Sequence, residues 1–269
     1  MTWLLVAIAL CIIVFSHRYS WWRSKVAESS PRILMYHMVS PHRKNAKFNK
    51  LRVLPAQFDY QVRWLKEHGW YFAMMSELAH TEQLPDKTVL LTFDDGFADN
   101  YLNAHPIIEK YDAKATLYLV VDRFDKDWST SKKAHHNSGE LMREPKLTTE
   151  QIEKMLLSGR WELGGHTLTH ANLAKLSNEQ KKTEIMDCKI QLEQQFSTNV
   201  SSFAYPFGIY DDDDVALTKA AGYRSAVTTE TGIDANNADI FRLKRVKISG
   251  KDNRLAFWLR IRSGFRGRS

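Results

Sequence analysis

The sequence predicts an α/β fold, a distorted (β/α) barrel of about seven to eight strands with an apolar helix in front of it, and three observations carry that reading. Short apolar runs bounded by turn residues alternate with stretches of helical period, the pattern of parallel strands joined by right-handed crossovers. One run, Val89-Leu90-Leu91-Thr92-Phe93, is apolar enough to be buried on both faces and stops abruptly at Asp94-Asp95-Gly96. The length of 269 residues suits one barrel domain with a small appendage.

The elements follow in order. Thr2 to Phe15 (TWLLVAIALCIIVF) is uncharged and almost wholly apolar. It is shorter than the roughly 20 residues that span a bilayer, but Ser16 to Trp22 extend it, with Tyr19, Trp21 and Trp22 as an interfacial belt. A cleaved signal peptide wants a basic start and a small-residue cleavage site, and neither is evident. Residues 1–30 therefore read as a single-pass anchor in a bacterial-type inner membrane plus a linker. Arg18, Arg23, Lys25 and Arg32 follow the apolar run, which by the positive-inside rule favours a cytoplasmic domain.

Residues 31–250 read as the globular domain. Ile33 to Tyr36 is a strand that delivers His37, and Pro55 to Gly69 is an amphipathic helix with Pro at its start and Gly at its stop. Trp70 to Met74 is a strand; Tyr101 to Tyr111 is a helix that Pro106 starts late or breaks; Ala115 to Val121 is a buried strand. Asp122 to Lys146 has no apolar period, so it is either a wall of a groove or a disordered insertion, and its His135 and His136 are not expected to bind metal. Thr148 or Thr149 caps a helix to Ser158, and Trp161 to Leu163 is a strand. A capping box, Ser177 with Gln180, opens a long helix to Phe196. Ser202 to Ala204 is a strand, and Asp211 to Ala221 is a helix whose acids complement its dipole. Tyr223 to Thr228 and Leu243 to Ile248 complete the strands.

The tail, residues 251–269, interleaves Lys251, Arg254, Arg260, Arg262, Arg266 and Arg268 with Leu255, Phe257, Trp258, Leu259, Ile261 and Phe265. That composition reads as a basic amphipathic segment lying on an anionic membrane, in keeping with a net charge of +7. Nucleic acid is the rival partner for such a stretch, and the apolar segment at the other terminus argues against it. The two cysteines, Cys11 and Cys188, give the domain no disulfide framework.

The chemistry gathers around Asp94 and Asp95. Two adjacent carboxylates at a strand end repel unless a cation sits between them or they face different partners, and a metal is the simplest solution. Nitrogen ligands are at hand in Gly164-Gly165-His166-Thr167-Leu168-Thr169-His170, whose imidazoles converge on one ion if the segment is helical or tightly turned.

The ordered motifs TFDDG, HTLTH and Phe203-Ala204-Tyr205-Pro206-Phe207-Gly208 resemble the polysaccharide deacetylases, the NodB-like carbohydrate esterases of family 4. Met35-Tyr36-His37-Met38-Val39 is similar to the branch containing the poly-N-acetylglucosamine deacetylases, and the likeness runs from about Arg32 to Ile248. The resemblance implies Asp94 as general base and Asp95, His166 and His170 as ligands of one divalent metal, Zn²⁺ before Co²⁺ or Ni²⁺. It also implies an oxyanion site at a backbone N–H near Phe207, with Tyr205, Pro206 and Gly208 forming the substrate wall. Many members work outside the membrane, against the positive-inside reading, so the face stays open.

Two departures from the family pattern stand out. Ala204 occupies the place of an arginine that orients the base, leaving Arg242 or Arg245 to substitute. No histidine follows His170, so the usual C-terminal general acid is missing and His37 is its candidate replacement, as acid or substrate contact. Tyr205, Phe207, Trp128 and Trp161 are the aromatic residues available for sugar stacking, the last more readily placed in the core. The expected function is metal-dependent removal of N-acetyl groups from an envelope glycan: a poly-N-acetylglucosamine-type polymer, a lipopolysaccharide sugar or a lipid-linked precursor. The alternatives are an O-acetyl esterase on the same scaffold and a catalytically silent glycan-binding partner of other glycan-synthesis proteins.

Overall fold

The computed structural model describes residues 2–80, 84–235 and 238–267. Its strands are β1 (Arg32–Tyr36), β2 (Met38–Val39), β3 (Arg52–Val53), β4 (Tyr71–Ala73), β5 (Thr88–Asp94), β6 (Ala115–Leu119), β7 (Trp161–Gly165), β8 (Ser202–Ala204), β9 (Ser225–Thr231) and β10 (Leu243–Lys247). Among the described residues seven close into a parallel barrel in the order β1-β5-β6-β7-β8-β9-β10, because β1 pairs with both β5 and β10. β4 adds an eighth strand beside the first half of β5. The expected distorted (β/α) barrel is the fold observed.

The pleat explains both the apolar run and the position of the carboxylate that ends it. All seven residues of β5 are buried. Val89, Leu91 and Phe93 join the large core shared with the surrounding helices, whereas Leu90 packs with Ile33, Tyr118, Val227 and Leu243 inside the barrel. With a period of two, Thr92 and Asp94 follow Leu90 inward, so Asp94 arrives at the barrel mouth. Gly164 makes room there: a Cβ on it would lie 2.4 Å from the Tyr118 ring.

The helices form where capping and periodicity place them. Pro55–Glu67 has Pro in its first turn and buries Phe58, Val62 and Leu65. Thr148 is the cap of the helix Thr149–Leu157, and Ser177 with Gln180 forms the capping box of Asn178–Lys182. The Tyr101 to Tyr111 helix is broken as Pro106 suggests, into a π-helical turn at Asn100–Ala104 and an α-helix at His105–Lys110. That turn holds the segment carrying His37: Asn100 Nδ2 donates to the His37 carbonyl (2.8 Å), Asn103 Nδ2 donates to the Val39 carbonyl (2.7 Å), and the Val39 N–H donates to Asp99 (3.1 Å).

Burial pushes the Asp99 carboxyl up to about 6 against the opposing pull of the Val39 N–H. The native state then binds the proton more tightly than the unfolded chain. The stability this group contributes is therefore present below about pH 4 and lost as pH rises through about 6. Asp99→Asn keeps an acceptor for Val39 and removes that slope. Relative to wild type, its urea-unfolding free energy is expected to rise by roughly 1–3 kcal/mol between about pH 4 and pH 7.

Asp122 to Lys146 is an ordered wall. It contains short helices at Ser129–Lys132 and Glu140–Arg143. Its anchor is Arg52 of β3, fully buried, whose guanidinium donates to Glu144 (2.7 and 3.1 Å) and to Glu140 (3.2 Å). The small β2–β3 sheet that places Arg52 has no sequence signal, because strands of two residues carry no period.

The tail differs from its expectation. Arg254–Ser263 is a helix capped by Asn253, and Phe257 and Ile261 belong to the main core. Arg260 pairs with buried Asp252 (2.7 Å), and Arg32 Nε donates to the Ile261 carbonyl (3.1 Å). Its apolar residues are spread around the helix, leaving only Leu255 and Trp258 as exposed large ones. The tail is thus a helix docked on the domain rather than a segment separate from it; Arg268 and Ser269 lie outside the described residues. The N-terminal helix, Thr2–Tyr19, has a mean hydropathy of 1.7 and is 6% buried. Its length of about 27 Å is close to that of a bilayer core. Tyr19 at its end packs with Ala256 and Leu259 of the C-terminal helix.

Candidate active site

The end of β5 turns sharply. Asp95 adopts φ +80° and donates its N–H to the Tyr118 carbonyl (3.1 Å), and Gly96 continues the turn at φ +78°. The histidine segment is tightly turned rather than helical, with Thr167 at φ +65° and His170 at +56°. Left-handed backbone at non-glycine residues costs of order 1 kcal/mol or more and clusters where function requires it. Here the turns bring two strand ends together: His166 Nε2 and His170 Nε2 lie 3.5 and 3.3 Å from Asp95 Oδ1, all three side chains being buried.

Those separations suit a shared cation. Ligands bound about 2.1 Å from a tetrahedral ion stand about 3.4 Å from one another. The His166 Nδ1–H donates to the Ala204 carbonyl (2.7 Å), which leaves Nε2 as the lone-pair nitrogen facing Asp95. Asp95 Oδ1 is buried without a hydrogen-bond partner, an unmet acceptor that a cation would satisfy. Burial raises the Asp95 pKa, but the contacts from His166 and His170 outweigh it and hold the carboxyl well below its usual range. Burial lowers the His170 pKa, so its imidazole is neutral and free to ligate.

Asp94 is held for a different task. Arg245 grips it with Nη1 to Oδ1 and Nη2 to Oδ2, both 2.7 Å, and is itself fixed by Thr92 Oγ1 (3.1 Å) and the Thr228 carbonyl (2.9 Å). Burial raises the Asp94 pKa and the Arg245 charge outweighs it, so the carboxylate stays ionised. Of the two candidate arginines only Arg245 reaches the site. Arg242 precedes β10 and pairs instead with Asp212 (2.6 Å) and Asp239 (3.2 Å), because only residues within the strand point into the barrel. His37 Nε2 lies 4.0 Å from Asp94 Oδ2.

A cavity of about 400 Å³ opens beside these groups, with His37, Asp94, Asp95, Trp128, Tyr205 and Phe207 in its walls. Trp128 leans on His170 at 5.1 Å, and Phe207 meets the same imidazole edge-on at 4.5 Å. Trp161 is buried in the core and takes no part. Pro206 and Gly208 shape the turn behind Phe207, itself at φ +60°. A Cβ on Gly208 would lie 2.1 Å from Thr229 Oγ1 and 2.8 Å from the Thr229 backbone nitrogen. Gly208→Ala must therefore displace Phe207, and kcat/KM for a hydrolysed glycan is expected to fall about 10–100-fold in steady-state assays.

The family model for polysaccharide deacetylase matches residues 81–226, more than half of the chain and all three motifs. The chain belongs to the polysaccharide deacetylase family. It is 30% identical over 235 residues to YxkH of Bacillus subtilis (strain 168), a protein named for the same family, covering 86% of this chain and 76% of that one. It is 25% identical to the poly-beta-1,6-N-acetyl-D-glucosamine N-deacetylase of Staphylococcus aureus (strain N315), covering 84% and 81%. The structure of the Streptococcus pyogenes deacetylase PplD in complex with acetate superposes with a TM-score of 0.69 at 30% identity, covering 85% and 95%. The chain is accordingly a hydrolase of carbon–nitrogen bonds in acetylated sugars.

Within this deacetylase the arginine that grips Asp94 comes from β10 as Arg245, while Ala204 stands in the third motif. Other wall residues were not singled out from the sequence: Lys132 and Lys133 from the insertion, Lys247 from the end of β10, and Met35, Ser129 and Thr229. His136 lines the cavity too, apart from the Asp95, His166 and His170 cluster.

Proposed function

We propose that this chain is a metal-dependent de-N-acetylase acting on an N-acetylated amino sugar of an envelope glycan, tethered to the membrane by Thr2–Tyr19. The observation that carries this reading is the meeting of Asp95, His166 and His170 beside Asp94, which Arg245 holds ionised. A divalent ion, zinc before cobalt or nickel, would be held by those three ligands and would supply Lewis acidity towards the acetyl carbonyl and an acidified water. The remaining work falls to the chain's own groups. Asp94 accepts a proton from the attacking water as its oxygen bonds to the acetyl carbon. A backbone N–H at Phe207 faces the developing oxyanion. His37, beside Asp94, hands a proton to the departing nitrogen as the C–N bond breaks, giving acetate and a free amine.

The missing family arginine and the missing C-terminal histidine are the two features that favour a catalytically silent protein, and the Arg245 contact weighs against the first of them. The test is acetate release by the full-length chain in detergent from N-acetylglucosamine oligomers and from O-acetylated xylan fragments. Release from the N-acetylated substrate, abolished by chelator and restored by zinc, is expected. Release from the O-acetylated substrate alone would make the protein an esterase.

A further inference from the structure

The cavity carries more positive charge than the hydrolysis needs. Leu243, Arg245 and Lys247 alternate along one side of β10. Arg245 is consumed by Asp94, and Lys247, one pleat nearer the mouth, lines the cavity. From the opposite wall Lys132 places its ammonium 5.7 Å from the centre of the Phe207 ring, the same ring that touches His170. Lys133 stands beside it at the rim. Burial lowers the pKa of half-buried Lys247, and the charges bearing on it, Lys132, Arg245 and Arg260, are all cations. Among the described residues no carboxylate pairs with Lys132, Lys133 or Lys247, although ion pairs are common elsewhere in the chain. Like charges gathered around a partly desolvated ammonium are unfavourable unless a negative group arrives from outside.

We propose that Lys132 and Lys247, with Lys133 at the rim, form an anion-binding subsite that selects glycans bearing a carboxylate or a phosphate beside the acetamido sugar to be cleaved. The inference rests on the de-N-acetylase reading and narrows it. A polymer of N-acetylglucosamine alone is neutral and turns cationic as it loses acetyl groups, so these lysines would repel its product; an anionic glycan would be drawn in and held in register.

The test uses the full-length chain in detergent and three N-acetylglucosamine oligomers of equal length: unmodified, carrying a 3-O-lactyl carboxylate, or carrying a 6-phosphate. Binding is measured by titration calorimetry with chelator present, so that nothing is turned over, and acetate release is measured separately with metal. At least one anionic oligomer is expected to bind 10-fold or more tightly than the neutral one, the larger gain identifying the anion. The gain should shrink as salt rises from about 0.05 to 0.5 M, where screening shortens to a few ångströms. It should vanish in Lys132→Ala/Lys247→Met and survive in Lys132→Arg/Lys247→Arg. Equal affinities within twofold, or a gain that persists in the Ala/Met variant, would overturn the subsite. Anion-dependent binding with no acetate release from any oligomer would uphold the subsite while removing the de-N-acetylase reading.

Discussion

Asp94→Asn is expected to lower kcat for acetate release by about 10³-fold or more, within the range that a positioned general base contributes. The same substitution should also cost stability, because Arg245 would keep its charge at a site with no exposure and lose its counter-ion. Breaking a buried pair from one side costs roughly 3–5 kcal/mol, whereas removing both charges together costs far less. Arg245→Leu alone should therefore destabilise to a similar degree, and Asp94→Asn/Arg245→Leu should recover much of the loss in urea unfolding without regaining activity. A cycle with additive single costs would show that the two side chains are not coupled as their paired 2.7 Å contacts require. Unchanged turnover in Asp94→Asn would remove the base from the mechanism altogether.

How much of this could be read beforehand depended on whether a residue's role left a periodic or local mark. The buried strand Thr88–Asp94 is seven residues long and mostly apolar up to its end, so both the strand and the carboxylate it delivers were legible. That Asp95, His166 and His170 come together was legible because their two motifs fall at the ends of β5 and β7. The choice between Arg242 and Arg245 was not made, although the alternation of Leu243 and Arg245 with intervening Lys244 contains the answer: an arginine two residues from a barrel-interior leucine points the same way. The tail misled because basic and aromatic residues interleave equally in a membrane-surface helix and in one that buries Phe257 and Ile261 while Arg260 pairs with Asp252. Lys132 and Lys133 sit in an insertion without period, and long-range contacts such as the Arg52, Glu140 and Glu144 network set which way that insertion folds.

Loading the wild-type chain with zinc at about 1,000 times its dissociation constant is expected to raise its unfolding free energy by about 4 kcal/mol. For a domain of this size that is a Tm rise of roughly 8–16 °C. The gain should be absent in His166→Ala, which removes the nitrogen whose orientation is set by the 2.7 Å bond to the Ala204 carbonyl. It should be strongly reduced in Asp95→Asn, where a neutral amide replaces the carboxylate between the two imidazoles. The metal-free proteins provide the contrast: His166→Ala leaves a cavity and should be less stable than wild type, yet its Tm should not respond to zinc. Without metal the contacts from His166 and His170 hold the Asp95 carboxylate ionised, so Asp95→Asn should destabilise the apoprotein at neutral pH and, separately, cost the loaded protein most of its zinc-dependent gain. A zinc-induced shift of equal size in both variants and the wild type would place the ion elsewhere on the chain, and the turns that hold Asp95 and His170 in left-handed backbone would then need another explanation.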